Sequence, residues 1–136
     1  MANQFYGTAK ASLLTQNPSI DFDTDTIKVA LVGTGYTPNT ATNGDQYYSV
    51  VGTHAIATAT LSGKQIVGGV FDASDVTFTS VTGATVGKLV LYKDTGTASN
   101  SPLICYFDSG TGIPITPNGG DITISWDNGA SKIFKL

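Results

Sequence analysis

Serine hydrolase chemistry would depend on the single histidine of this chain, His54, which lies in the segment Gly-Thr-His-Ala. A Ser-His-Asp enzyme needs such a histidine as the general base beside an activated serine. The sequence contains no Gly-x-Ser-x-Gly motif that would supply this nucleophile. We therefore interpret His54 as a loop or strand-edge residue that is satisfied by water or a backbone carbonyl, because histidine is often only partly buried without a catalytic duty.

Three aspartates at a spacing of two, Asp21, Asp23 and Asp25, could ligate a hard cation such as Ca²⁺ through their oxygens. An EF-hand loop starting at Asp21 would require glycine at its sixth position and glutamate at its twelfth, where this chain has Thr26 and Val32. We favour a solvated acidic segment that leads into the first strand and repels non-native edge pairing. We predict no metal site and no cofactor, with a cation at these carboxylates as the open alternative.

The remaining reactive groups favour structural roles. Cys105, the single cysteine, lies in the apolar run Leu103–Phe107, which is typical of a buried thiol. The pairs Gly68-Gly69 and Gly119-Gly120 match neither Gly-x-Gly-x-x-Gly nor the P-loop and are predicted to be turn glycines. Two aspartates could hydrolyse a glycosidic bond, but aspartate is also a common turn residue, so we expect no catalytic residue and no enzyme.

The composition excludes several classes of protein. All ten acidic residues are aspartate and all seven basic residues are lysine, and a chain without glutamate or arginine disfavours long helices. A formal net charge of −3 with scattered lysines argues against nucleic-acid binding. No stretch approaches the roughly 20 apolar residues of a membrane helix, so we expect no membrane partner and a protein that stays soluble in the cytoplasm or in something assembled there.

Apolar periodicity predicts one domain over residues 1–136, an antiparallel β-sandwich with one short N-terminal helix and with jelly-roll topology as an option. The first 18 residues would form an N-terminal arm, with the helix through Gln4–Thr15 stopped by Asn17-Pro18. An Asn128-Gly129 turn should join a strand within Asp121–Trp126 to the last run, Lys132–Leu136. The other predicted strands are Thr26–Val32, Tyr47–Val51, Ala55–Leu61, Gln65–Phe71 with a break at its glycine pair, Val76–Phe78, Gly87–Lys93 and Leu103–Phe107.

Residues 36–48 have almost no apolar positions and are predicted to be a long surface loop. Exposed loops on rigid β scaffolds often carry contacts to partners. The candidate partner-binding residues in this loop are Tyr36, Asn39, Asn43, Tyr47 and Tyr48.

Several stretches resemble a family of small virion-associated proteins encoded by tailed bacteriophages. The C-terminal stretch Gly112–Leu136, which contains Ile-Thr-Ile-Ser-Trp-Asp-Asn-Gly, carries the clearest likeness. The stretches Thr26–Val32, Gly69–Phe78 and Leu89–Gly96 resemble the same family. The likeness therefore spans most of the chain, with the loop of residues 36–48 matching least.

The resemblance implies a non-enzymatic structural protein of the virion, assembled in the host cytoplasm. We expect a capsid decoration or cement protein that binds the major capsid protein or other virion proteins, as a homo-oligomer, through edge strands, loops and the N-terminal arm. The alternative is a tail, adapter or fibre-associated module that recognises a host glycan or another tail protein through residues 36–48.

Overall fold

A computed structural model describes residues 4–108, 113–129 and 132–136 of the chain. The protein is mainly β, with antiparallel sheets in a sandwich-like arrangement and a short N-terminal helix, so the predicted fold class is confirmed. Most of the alternating apolar runs that indicated strands occupy strands in the structure, because alternate residues of a strand point to the same face and can be buried together. No helix of these described residues is long and apolar enough to cross a membrane.

The central layer is a five-stranded antiparallel sheet with the strand order β1-β8-β7-β2-β3. Its middle strands are long and apolar because both of their faces are covered. The strands of this sheet are β1 (Gln4–Phe5), β2 (Ile27–Gly33), β3 (Ala55–Thr60), β7 (Val86–Lys93) and β8 (Leu103–Phe107).

The opposing layer contains two smaller sheets. A three-stranded sheet has the order β10-β5-β4, and β6 pairs with β9 in a two-stranded sheet. The strands of this layer are β4 (Gln65–Val67), β5 (Val70–Asp72), β6 (Val76–Phe78), β9 (Ile122–Ile124) and β10 (Phe134–Lys135).

Both faces of the central sheet are buried, each in a separate apolar cluster. Val29 and Leu31 of β2 pack in the main core between the two layers, together with Phe71 and Trp126. The alternate residues of β2 point to the other face and pack beneath helix α1 (Gly7–Thr15) and the loop that follows β2. This second cluster explains why β2 is apolar on both sides.

The predicted N-terminal helix begins later than expected, because Gln4–Phe5 is a strand that pairs with β8. Tyr6 is extended, and its N–H donates to the carbonyl oxygen of Ile104 at 3.1 Å. Helical spacing alone could not exclude this strand, because the competing partner lies about a hundred residues away in sequence. The end was predicted correctly, since α1 ends at Thr15 and Gln16 adopts a left-handed conformation with φ 59°.

The predicted strand Tyr47–Val51 is wrong. Tyr47 forms an isolated bridge with Pro102, and Ser49–Gly52 forms a short helix, α2. Val51 is fully buried on the second cluster, so its apolar character reflects helix packing. A second short segment, the 3₁₀ helix Ala98–Asn100, interrupts the loop between β7 and β8.

The predicted C-terminal hairpin at Asn128-Gly129 is also wrong. Strand β9 pairs with β6 and strand β10 pairs with β5, so the two runs belong to different sheets. The N–H of Gly129 donates to Oδ1 of Asp127 at 3.1 Å, which gives this segment an aspartate turn in place of a β-hairpin turn. Residues 130–131, between this turn and the predicted last run, lie outside the described residues.

Candidate functional site

His54 lies on the surface between α2 and β3. Its ring packs against the ring of Tyr36 with centroids 5.8 Å apart, and its carbonyl oxygen accepts the N–H of Gly33 at 2.9 Å. The residue therefore supports the turn at the end of β2, in agreement with its interpretation as a strand-edge residue.

The aspartates that were considered as cation ligands close a turn before β2. Oδ1 of Asp21 accepts the N–H groups of Asp23 at 3.0 Å and of Thr24 at 3.2 Å. A hydrogen bond with the Thr24 side chain, followed by these two backbone hydrogen bonds, lowers the pKa of Asp21. Oδ2 of Asp25 accepts the N–H of Asp21 at 2.7 Å and lies 3.0 Å from Nζ of Lys93. Among the residues that the structure describes, no three acidic, histidine or cysteine side chains are placed to hold a metal ion.

Cys105 is buried in the main core, 3% exposed, as its apolar surroundings in the sequence indicated. Removal from water penalises the thiolate, and this burial raises the pKa of the Cys105 thiol. A neutral, inaccessible thiol packs as a small apolar group.

Of the five candidate binding residues, Tyr36 lies at the base of its loop and is 5% exposed. Its hydroxyl lies 2.8 Å from the hydroxyl of Tyr6 and donates to Oδ2 of Asp45 at 2.7 Å. Burial, followed by the hydrogen bonds with Tyr6 and Asp45, raises the pKa of Tyr36. The prediction of a surface residue is wrong for Tyr36, because its phenol closes the second apolar cluster.

Asp45 and Asn39 hold the loop in a defined shape. Oδ2 of Asp45 also accepts the N–H of Asn39 at 3.0 Å, and the carbonyl oxygen of Asn39 accepts the N–H of Asp45 at 2.9 Å. The loop is attached to the start of α1, where the Thr8 hydroxyl donates to the carbonyl oxygen of Asp45 at 2.8 Å. Asn39 is exposed, but its backbone and side chain serve the loop itself.

Tyr47 and Tyr48 are half-buried and tie the end of the loop to the start of β8. The ring of Tyr48 stacks on that of Tyr92 at 4.0 Å, and its N–H donates to the carbonyl oxygen of Ser101 at 2.8 Å. Burial is the main factor that raises the pKa of both stacked tyrosines, Tyr48 and Tyr92. These aromatic faces are therefore used within the molecule.

Asn43 is exposed and lies beside a shallow groove between α1 and the loop. The groove has a volume of about 350 Å³ and is lined by uncharged groups. The polar side chains among its lining residues are Thr8, Ser12, Asn17, Thr42, Asn43 and Gln46. Such a surface offers hydrogen bonds to a neutral polar ligand.

The tip of the β4–β5 hairpin has exposed apolar side chains that the sequence did not predict. Ile66 is 49% exposed and Val67 73% exposed, on opposite faces of β4 at the edge of the three-stranded sheet. Leu136, 70% exposed, follows β10 on the other side of β5, where its N–H donates to the carbonyl oxygen of the turn residue Gly69 at 3.0 Å. We name Ile66, Val67 and Leu136 the hairpin-tip surface.

The signal for this surface was present in the sequence as Gln-Ile-Val followed by a glycine pair and the apolar chain end. Consecutive apolar residues in a strand indicate burial on both faces when the strand lies inside a sheet. The structure places β4 at an edge, where such residues face solvent.

A second polar groove, of about 400 Å³, lies at the opposite end of the same hairpin. It is lined in part by Gln65, Asp72, Asp75 and Trp126. The indole is 8% exposed and its Nε1–H donates to the carbonyl oxygen of Ser74 at 3.2 Å, while Oδ1 of Asp75 accepts the backbone N–H of Trp126 at 3.0 Å. These contacts join the start of β6 to the end of β9.

Comparison with models of protein families and with curated proteins gives no match for this chain.

Proposed function

We propose that this chain is a structural protein of a bacteriophage particle, a decoration protein that stabilises the head shell through non-covalent contacts. It works without a cofactor, as part of a homo-oligomer, and its partners are the major capsid protein or other virion proteins. The hairpin-tip surface is the observation that carries this proposal.

Neighbouring exposed apolar side chains at an open sheet edge are typical of a protein–protein contact. Ile66 and Val67 lie on an edge strand, which also presents unpaired backbone groups to an incoming chain. A protein that stays free in solution usually blunts such an edge with charges, and Gln65–Val67 contains none. A binding role in an assembly accounts for this combination.

The stretches that resemble phage proteins contain paired strands of the fold. Gly69–Phe78 contains β5 and β6, and the described part of Gly112–Leu136 contains β9 and β10, which pair with them. Thr26–Val32 and Leu89–Gly96 include most of β2 and β7, which also pair.

Low surface charge also suits a protein that is held by neighbouring subunits. Charged residues make up 12% of the chain, so a contact can bury backbone edges and small apolar areas without removing many ions from water. Removing an ion from water costs several kcal/mol unless it is paired, about as much as a modest interface gains.

The test is to add the purified protein to expanded capsids that lack it and to measure co-sedimentation of the two. We expect saturable binding to capsids, and immunogold labelling of complete particles should mark the head. Labelling of tails together with no binding to capsids would overturn the decoration role. A variant with Ile66→Lys and Val67→Lys should bind less, whereas Val50→Lys, a matched change at an exposed apolar residue on α2, should bind as the parent does.

The groove between α1 and the loop supports a second candidate, a tail-associated module that recognises a host glycan. Its uncharged amide and hydroxyl lining provides the donors and acceptors that sugar hydroxyls need. Binding to a glycan array that is lost in Asn43→Ala would favour this candidate. An array without any signal would count against it.

A further inference from the structure

We infer that the free edge of β4 pairs with β4 of a second copy of this chain, antiparallel and about a twofold axis at Ile66. The inference rests on the proposed assembly role, since it names the occupant of the hairpin-tip surface. Pairing between copies would then contribute to binding on the shell, together with direct contacts from other parts of the molecule.

The hairpin turn determines which backbone groups of β4 face outward. Gly68 and Gly69 have φ of 59° and 77°, the signs of a type I′ turn, and join Val67 directly to its cross-strand partner Val70. In such a turn the residues that flank the two glycines exchange hydrogen bonds. Because hydrogen-bonded and non-hydrogen-bonded pairs alternate, the next pair, Ile66 with Phe71, is not hydrogen-bonded.

The N–H and C=O groups of Ile66 therefore point away from β5. The other member of the pair supports this geometry, because the carbonyl oxygen of Phe71 accepts the N–H of Ile133 at 3.1 Å on the far side of β5. Ile66 thus offers one donor and one acceptor on the open side of the sheet. Its side chain is half-exposed at the same place.

This edge is complementary to itself. When a second β4 lies antiparallel with Ile66 opposite its own counterpart, each Ile66 N–H meets the other Ile66 carbonyl oxygen, which closes two hydrogen bonds. Gln65 of one copy then faces Val67 of the other, on the opposite face from the isoleucine pair. The two small sheets become one six-stranded sheet with the order β10-β5-β4-β4-β5-β10.

The charge of β4 and the area that it can bury determine how strong the pairing is expected to be. No charged residue lies within Gln65–Val67, so pairing two identical copies brings no like charges into opposition within β4. A strand of three residues buries far less than the roughly 1,200 Å² of a stable interface, so the pair is weak in dilute solution. It becomes effective when many copies are held close together on a surface.

The decisive test exploits the twofold axis by placing charges at Ile66. Sedimentation velocity of the parent protein from about 10 μM to about 1 mM should show reversible dimerisation, the range of weak complexes. In a dimer of Ile66→Lys, or of Ile66→Asp, two like charges face each other across the twofold axis. Each variant should therefore have a dimer dissociation constant at least about tenfold higher than that of the parent. An equal mixture of the two variants pairs opposite charges and should restore association. Leu14→Lys is the matched control and should dimerise as the parent does.

Two results would overturn the inference. One is a parent protein that stays monomeric throughout this range, and the other is a mixture of the charged variants that associates no better than either variant alone. Circular dichroism checks the fold of each variant. Should a charge at this position prevent folding, Ile66→Pro removes the outward N–H without introducing a charge, and unchanged association of that variant would refute the pairing.

These results are separable from those of the proposed function. A monomeric protein that still binds capsids would leave the decoration role intact and remove the β4 pairing. A dimer that binds neither capsids nor tails would leave the β4 pairing intact and remove the decoration role.

Discussion

Tyr36 and Asp45 lie nine residues apart in the chain and meet through a hydrogen bond of 2.7 Å from a buried phenol to a carboxylate. This bond turns a segment rich in Thr, Asn and Gly into a structured loop that covers one face of the central sheet. The loop therefore contributes to the stability of the folded state, in addition to forming part of the surface.

The first prediction concerns this bond. We expect Tyr36→Phe to lower the free energy of unfolding by about 1.5–3 kcal/mol, the contribution of a hydrogen bond to a charged group, because it leaves Asp45 and the Tyr6 hydroxyl without their shared partner. Urea denaturation measures the change. Tyr47→Phe removes a hydroxyl from a half-buried tyrosine of the same segment and should change stability by less than about 0.5 kcal/mol. Equal effects of the two changes would contradict the role given to Tyr36.

The second prediction concerns pH. The backbone N–H of Gly96, which donates to Oδ1 at 3.0 Å, and then Lys28, whose Nζ lies 3.1 Å from Oδ2, lower the pKa of Asp94. A pKa that is lower in the folded than in the unfolded state gives a stabilisation that is present above the unfolded value, near 3.9, and is lost as the pH falls through the folded value.

We therefore expect the urea midpoint to fall as the pH drops from about 5 through about 4, the range in which an unfolded aspartate takes up its proton. Asp94→Asn should flatten this fall, since it removes one carboxylate that contributes to it. Denaturation curves between about pH 3 and about pH 6 measure the slope, which reports the difference in bound protons between the two states. An identical slope in the variant would contradict the assignment.

The third prediction compares two leucines. Leu91 is fully buried at the centre of the main core, and Leu14 is 88% exposed on α1. We expect Leu91→Ala to destabilise the protein by about 2–5 kcal/mol, through lost burial and the cavity that remains. Leu14→Ala should cost less than about 0.5 kcal/mol. Thermal unfolding of both variants provides the comparison, and a large loss for Leu14 would show that its side chain is covered in solution.

The fourth prediction concerns Cys105, which is buried and has a raised thiol pKa. We expect a thiol reagent such as DTNB to react with no cysteine of the native protein on the time scale of minutes, and with one equivalent after unfolding in urea. The absorbance of the released thiolate measures both. Fast labelling of the native protein would mean that β8 opens readily.

Local patterns in the sequence were sufficient to predict the central strands β2 and β7. Thr26–Val32 and Gly87–Lys93 alternate clearly, and β2 and β7 lie within one residue of those bounds. The break in Gln65–Phe71 was also identified, because two adjacent glycines favour the positive φ that both adopt.

Long-range pairing could not be inferred in the same way. The Asn128-Gly129 pair is a strong local hairpin signal, yet β9 pairs with β6 and β10 pairs with β5. This pairing buries Ile122, Ile124 and Phe134 in the main core. Burial of three large apolar side chains outweighs the preference of one turn. The burial of Tyr36 could not be predicted from the local sequence for the same reason, since its partner Tyr6 lies 30 residues away.

The pairing of β1 with β8 also bears on how the molecule is made. Gln4 and Phe5 pair with Tyr106 and Cys105, so the edge of the central sheet brings together residues about a hundred positions apart. A ribosome adding roughly 5–20 residues per second must therefore synthesise most of the chain before its first strand has a partner. Until then Tyr6 and the helix that follows lack the surface they cover. Gln4–Phe5 and α1 thus cannot reach their final positions before β8 has been synthesised, and a nascent chain stopped before β8 cannot complete the central sheet.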